Sequence, residues 1–216
     1  MFHQNMVKLK QKLKKKCTIV VQFVEKFLRI FLQIRLTEYT KKDMIAICLQ
    51  KGGDVVSKII PFKTKEDKPM LDILIIARYF LSLGSMNHKK LQKLCYYAQA
   101  WHLTFTGNKL MDTDFEAWIH GPVSTKLYNE YKEWRGLVIP QRTCSEDDLH
   151  ILDNFINFLH KIYDLYKEYT ADELESLTHS EKPWLEAREG YNKNEICRVV
   201  INNQTIIDFY KGLLNV

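Results

Sequence analysis

His120 is the residue that most invites a chemical reading. It stands directly before Gly121-Pro122, near Ser124 in sequence, and the chain also holds Cys95, so an imidazole base activating a serine or cysteine nucleophile is the chemistry to weigh. Such a pair needs a third group to orient the ring. No residue stands at a spacing that announces one, and no Gly-x-Ser-x-Gly elbow occurs. The sequence therefore reads as non-enzymatic, with no catalytic residue and with His120 bonding nearby backbone to hold a turn. Metal chemistry fares no better. The five cysteines, Cys17, Cys48, Cys95, Cys144 and Cys197, contain no CxxC pair, and the seven histidines form no HxxxH or HExxH pair, so neither metal nor other cofactor is expected. Lys51-Gly52-Gly53-Asp54 lacks the phosphate-loop pattern and its trailing Lys-Ser/Thr. Scattered, odd-numbered cysteines fit a reducing compartment, which makes the cytoplasm the expected location.

Charge divides the chain in two. Residues 1–69 carry 16 Lys and Arg against 6 Asp and Glu, a balance of +10; residues 70–216 carry 16 against 20, a balance of −4. The first part opens with a lysine run from Lys8 to Lys16 and continues into an apolar stretch at 17–36. Glu25, Lys26 and Arg29 interrupt that stretch, at about 2.5–3.5 kcal/mol each in a bilayer centre, which excludes a membrane span. The same charges and the lack of a small-residue cleavage pattern exclude a secretory signal. As a helix, the stretch gathers Gln22, Glu25, Lys26, Arg29 and Gln33 into one polar stripe and leaves a wide apolar face, to be buried on its own core, on a partner or on a membrane surface. Lysines without interleaved arginines or aromatics are a poor nucleic-acid signature, so nucleic acid is not the favoured partner. The segment 60–69, with two prolines and mixed charge, reads as a linker, and the domain boundary is placed there; Met70 is an alternative start.

Beyond it, apolar spacing predicts a buried helix over 71–83 stopped at Gly84, and a second capped by Asn87 and closed at Gly107. Phe115, Ala117 and Ile119 alternate with Glu116, Trp118 and His120, as in a short half-buried strand. His120-Gly121-Pro122-Val123 follows as a turn, and Ser124 caps a helix whose buried stripe is Leu127, Tyr128, Tyr131 and Trp134. Ser145, paired with Asp148, introduces one long helix reaching Tyr166. Thr170 and Glu173 form a capping box, Ser180 caps a short turn around Pro183 and Trp184, and Asn202 or Asn203 opens a final helix. The expected fold is mainly α: a compact multi-helix domain over 70–216 with a small β element, plus a basic, amphipathic helical extension over 1–69.

Four blocks of this second part carry a family resemblance: KLQKLCYYAQAWHLTFTG at 90–107, FEAWIHGPV at 115–123, LYNEYK at 127–132 and LTHSEKPWLEARE at 177–189. In this order they resemble the Panacea domain of SocA-like antitoxins. The resemblance implies an antitoxin that neutralises a co-encoded protein toxin by direct binding, with no cofactor, and it extends to phage-associated proteins. It equally accommodates an adaptor that delivers the bound toxin to an ATP-dependent protease; a nucleic-acid-binding regulator using the basic N-terminus is the rival from another class. Candidate partner-binding residues are Tyr96, Tyr97, Trp101, Trp118, His120, Gly121 and Pro122, because tyrosine and tryptophan join large apolar area to a polar tip. For Trp101 core packing is the alternative, and for Tyr96, off the main helical stripe, core and contact both stand open.

Overall fold

The computed structural model describes residues 70–214. The basic segment, its predicted amphipathic helix and the linker lie outside the described residues. Over those described the protein is mainly helical, as expected, with small β elements. In chain order come α1 (Ile73–Leu83), β1 (Met86–Asn87), α2 (His88–Thr106), β2 (Glu116–Trp118), β3 (Gly121–Val123), α3 (Thr125–Tyr131), β4 (Val138–Ile139), α4 (Glu146–Leu152), α5 (Ile156–Tyr166), α6 (Ala171–Thr178), α7 (Lys182–Ala187) and α8 (Asn203–Leu214). No described helix is long and apolar enough to cross a membrane.

α2 is the axis of the domain. Asn87 accepts a hydrogen bond from Lys90 N at its start, and Gly107 closes it in the left-handed region at φ 75°. Between these caps it is buried on nearly every side, with α1, α3, α5, α6 and the β2–β3 hairpin packed around it. A helix enclosed this way must find partners for its polar groups. Trp101 Nε1 donates to Tyr166 Oη at 3.0 Å, and Gln99 Oε1 accepts from Leu110 N and Met111 N at 2.9 and 3.1 Å. Tyr97 Oη and Tyr210 Oη both donate to the buried Glu181 carboxyl, at 3.1 and 2.8 Å. Burial pushes that carboxyl up to about 8, although both phenols pull it back, so it is held largely protonated at neutral pH.

Three helix expectations need correction. The long helix from Ser145 is broken by a 3-10 turn at Asp153–Phe155, which re-phases the chain so that Leu159, Ile162 and Tyr166 of α5 face the core. Asp148 does not cap reciprocally: Ser145 Oγ accepts from Asp148 N, but the Asp148 carboxylate takes both Nε and Nη2 of Arg78, at 2.7 and 2.8 Å, and ties α4 to α1. Ser180 does not cap α7, whose N-cap is Glu181; the Ser180 hydroxyl donates back to Leu177 O. The Thr170–Glu173 capping box is present, and Asn202 accepts from Gln204 N and Thr205 N at the start of α8. Gly84 ends α1 in extended backbone, and its lack of a side chain serves space: a Cβ would strike the Tyr163 hydroxyl, which donates to Leu83 O.

Candidate partner interface

The segment 120–123, expected to be a turn, is half of a hairpin. Only residues 119 and 120 turn; Gly121–Val123 returns as β3, antiparallel to β2, with Trp118 opposite Gly121 and Glu116 opposite Val123. A third strand, which the sequence reading left unassigned, completes a small sheet. Ala117 N donates to Val199 O at 2.9 Å, Ile201 N donates to Phe115 O at 2.8 Å, and Glu116 pairs with Val200. The strand order is thus β3, β2, then residues 199–201. The run Arg198-Val199-Val200-Ile201, rich in β-branched residues, carried the signal for it.

Side chains from several elements clamp the hairpin onto the helices. Gln92 holds Ser124 by both backbone groups, accepting from its N–H at 2.9 Å and donating to its carbonyl at 3.1 Å. Lys93 Nζ, fully buried, donates to Pro122 O at 3.0 Å. Trp184 Nε1 donates to Trp118 O and Arg188 Nη1 to Ala117 O, at 3.0 and 2.9 Å. His120 Nδ1 lies 3.1 Å from Glu175 Oε1, so His120 pins the hairpin tip through a carboxylate on α6 rather than through backbone as expected. Ser124 is a buried helix cap, 2.9 Å from the Thr113 hydroxyl, and burial pushes the enclosed Cys95 thiol up.

Electrostatics follow from this enclosure. Burial lowers the Lys93 ammonium to about 7; the Glu175 charge opposes the shift and Lys89 adds to it. Burial also acts to raise Glu175, but hydrogen bonds from Lys89 and His120 win and hold its carboxyl below the usual value. His88 is lowered to about 4, first by burial and then by Lys93.

The sequence candidates separate into two sets. Tyr96, Tyr97 and Trp101 are enclosed in the core at 0%, 0% and 1% exposure, so none can touch a partner while the domain is folded. Gly121 and Pro122 are buried as well. Trp118 and His120 reach the surface: the Trp118 ring lies on the outward face of the sheet, and the His120 side chain is 71% exposed. Two expected members of a buried stripe also part company, since Leu127 is buried while Tyr128 is exposed and rests its ring 4.9 Å from that of Trp118. Residues that the sequence reading missed complete the face. Arg198, cross-strand from Trp118, holds its guanidinium 5.9 Å from the ring centre, and Val200 is half exposed beside it.

This clamped hairpin is the part of the fold that the family comparison spans. Residues 91–185 match the family model of the antitoxin SocA-like Panacea domain. The match begins in α2 and ends in α7, so the matched segment includes the hairpin with Trp118, His120, Gly121 and Pro122, and stops short of the third strand. No curated protein and no solved structure matches the chain. The match makes this segment similar to an antitoxin domain.

Proposed function

We propose that the protein is a cytoplasmic, non-enzymatic antitoxin that neutralises a co-encoded protein toxin by direct binding, and that the outward face of the three-stranded sheet makes the contact. The family match supports an antitoxin-like role. The observation that carries the placement is the group formed by the half-buried Trp118 with the exposed Tyr128 and Arg198, on a hairpin whose backbone is gripped by Gln92, Lys93, Trp184 and Arg188. Rings and an arginine on a rigid support lose little freedom on binding, which is the usual make-up of an interface centre. His120 contributes at the margin. Tyr96, Tyr97, Trp101, Gly121 and Pro122 act from beneath, shaping the support. Residues 70–216 form the antitoxin domain in this reading, with residues 1–69 as its basic extension. The −4 balance of residues 70–216 argues against nucleic acid as the ligand of this domain.

The test is expression of the adjoining small reading frame with and without this protein. Rescue from killing together with co-purification is the expected result, and Trp118→Ala and Arg198→Ala should each weaken capture while leaving the melting temperature near that of the parent. Rescue with no complex by native mass spectrometry refutes direct binding. A toxin that binds but disappears from the cell points to proteolytic delivery.

A further inference from the structure

The third strand exposes an edge as well as a face. Val199 O and Ile201 N are turned inward to β2, so by the alternation of an antiparallel ladder the N–H and C=O of Arg198 and of Val200 point the other way. None of these four groups is hydrogen-bonded to a described residue. Natural sheets blunt such edges with prolines, bulges or inward charges. Here Arg198 is the one charge on the strand, and exposed apolar residues surround it: Val199 is 40% exposed, Val200 50%, and Ile196 just before them 73%.

We propose that this edge receives an extended segment of the partner protein, which adds a fourth strand to the sheet and brings an acidic side chain opposite Arg198. The inference rests on the reading of a protein-binding antitoxin and specifies the chemistry of its partner. Charge complementarity selects the occupant. Among the described residues Arg198 has no carboxylate within ion-pair distance, and a docked strand removes water from its guanidinium, so an Asp or Glu from the incoming chain answers it. Side chains two apart on a strand share a face. The residue opposite Val200 therefore lies beside the acidic one and meets an apolar neighbour. The residue between them points to the other face, where Pro183, Ala187 and Val199 form the apolar wall of a cavity of about 250 Å³ and Glu186, Asn202 and Thr205 its polar side, so that a small aliphatic side chain fits against the wall. The recognised pattern is apolar, aliphatic, acidic, in an extended backbone. Backbone bonds hold the strand, and Arg198 with the cavity sets its register.

Val200→Pro is the decisive variant. It removes the outward N–H of residue 200 and leaves the two inward bonds, through Val199 O and Ile201 N, in place; Val199, already extended, suits the position before a proline. A displayed library of random linear octapeptides is selected on the purified full chain, and the enriched sequence is made as a fluorescein-labelled peptide for anisotropy titration. The expected enrichment is the apolar-aliphatic-acidic pattern. The peptide should bind Val200→Pro and Arg198→Glu about tenfold or more weakly, and slow amide exchange at residues 198 and 200 of the parent. No enrichment, or a peptide that binds Val200→Pro unchanged, overturns the proposal. So does a dimer of the full chain that Val200→Pro dissolves, because a second copy is then the occupant. Thermal melts of each variant separate lost binding from lost fold. Rescue by Val200→Pro at parental strength removes strand addition and leaves the antitoxin reading standing, whereas peptide binding without any toxin rescue does the reverse.

Discussion

Gly121→Ala should be among the most damaging single-methyl additions in the protein, and the structure allows its cost to be assembled from parts. Gly121 sits at φ 94°, where an L residue other than glycine costs about 1–3 kcal/mol of backbone strain. A Cβ there would also stand 2.6 Å from Lys93 Cε, 2.9 Å from Lys93 Nζ and 2.7 Å from Thr178 Oγ1. Lys93 has no room to retreat, being 1% exposed, so relief requires its amine to leave Pro122 O. Stranding that buried pair adds about 1–3 kcal/mol. The sum, about 2–6 kcal/mol, is read from urea unfolding followed by circular dichroism, beside Lys93→Met and the double variant. Methionine retains length without the ammonium and flexes more easily, so the double variant should regain the steric part of the loss and leave the φ part. A coupling of about 1 kcal/mol or more is expected. Strict additivity, or a Gly121→Ala protein within about 0.5 kcal/mol of the parent, refutes the close approach as the reason for glycine here.

Other outcomes follow from burial. Tyr96→Ala should destabilise by about 3–5 kcal/mol, and more than Trp118→Ala, because Tyr96 is fully enclosed while Trp118 is half-buried; thermal melts of the two that rank the other way contradict the placement of this face. Stability should pass through a shallow minimum near neutral pH. Glu181 has a folded pKa of about 8 against 4.5, so the folded state holds an extra proton between these values and loses stability as pH rises across them. Lys93, at about 7 against 10.5, binds fewer protons folded than unfolded, so stability recovers as pH rises from 7 towards 10.5. His88, lowered to about 4, opposes the Glu181 slope below pH 6.5, so the comparison to make is between parent and variant. Glu181→Gln should remove the fall between pH 6.5 and 7 and turn the nearly level stretch from 7 to 8 into a rise, while Lys93→Met should remove the alkaline rise and extend the fall to pH 8; urea midpoints that keep the parental profile in the variants assign it elsewhere.

The helical frame was legible because its signals are local. Asn87, Ser124, Ser145, Thr170 and Asn202 cap the helices that the sequence assigned to them, and Gly107 adopts the left-handed backbone that such a stop requires. The long helix after Ser145 failed for a reason that periodicity cannot show. Apolar residues recur through Leu152, Phe155, Ile156 and Leu159 at helical spacing whether or not a 3-10 turn rotates the second half; only the core they pack against decides. Asp148 shows the same limit, since its carboxylate is claimed by Arg78, far away in sequence.

The interface was harder to read because exposure is a tertiary property. Tyr96, Tyr97 and Trp101 have the composition of a contact surface, and on an outer helix they would form one; α2 is instead the axis, and their polar tips are spent on Glu181 and Tyr166 or enclosed beside them. Alternation set Trp118 on the face opposite Phe115 and Ala117, but the sequence still ranked it with Trp101 as a buried tryptophan; the structure leaves it half-buried. Its neighbours were not legible, because Arg198 reaches it from a strand that pairs only through Val199 and Ile201, beyond the stretch that the family model covers. That division has a functional consequence. Of the clamp residues, Gln92, Lys93 and Trp184 lie inside the family-matched span, while Arg188 lies outside it with Arg198 and Val200. On the proposed reading, a change of partner comes through the added strand, while Trp184 and Lys93 keep their grip on Trp118 O and Pro122 O.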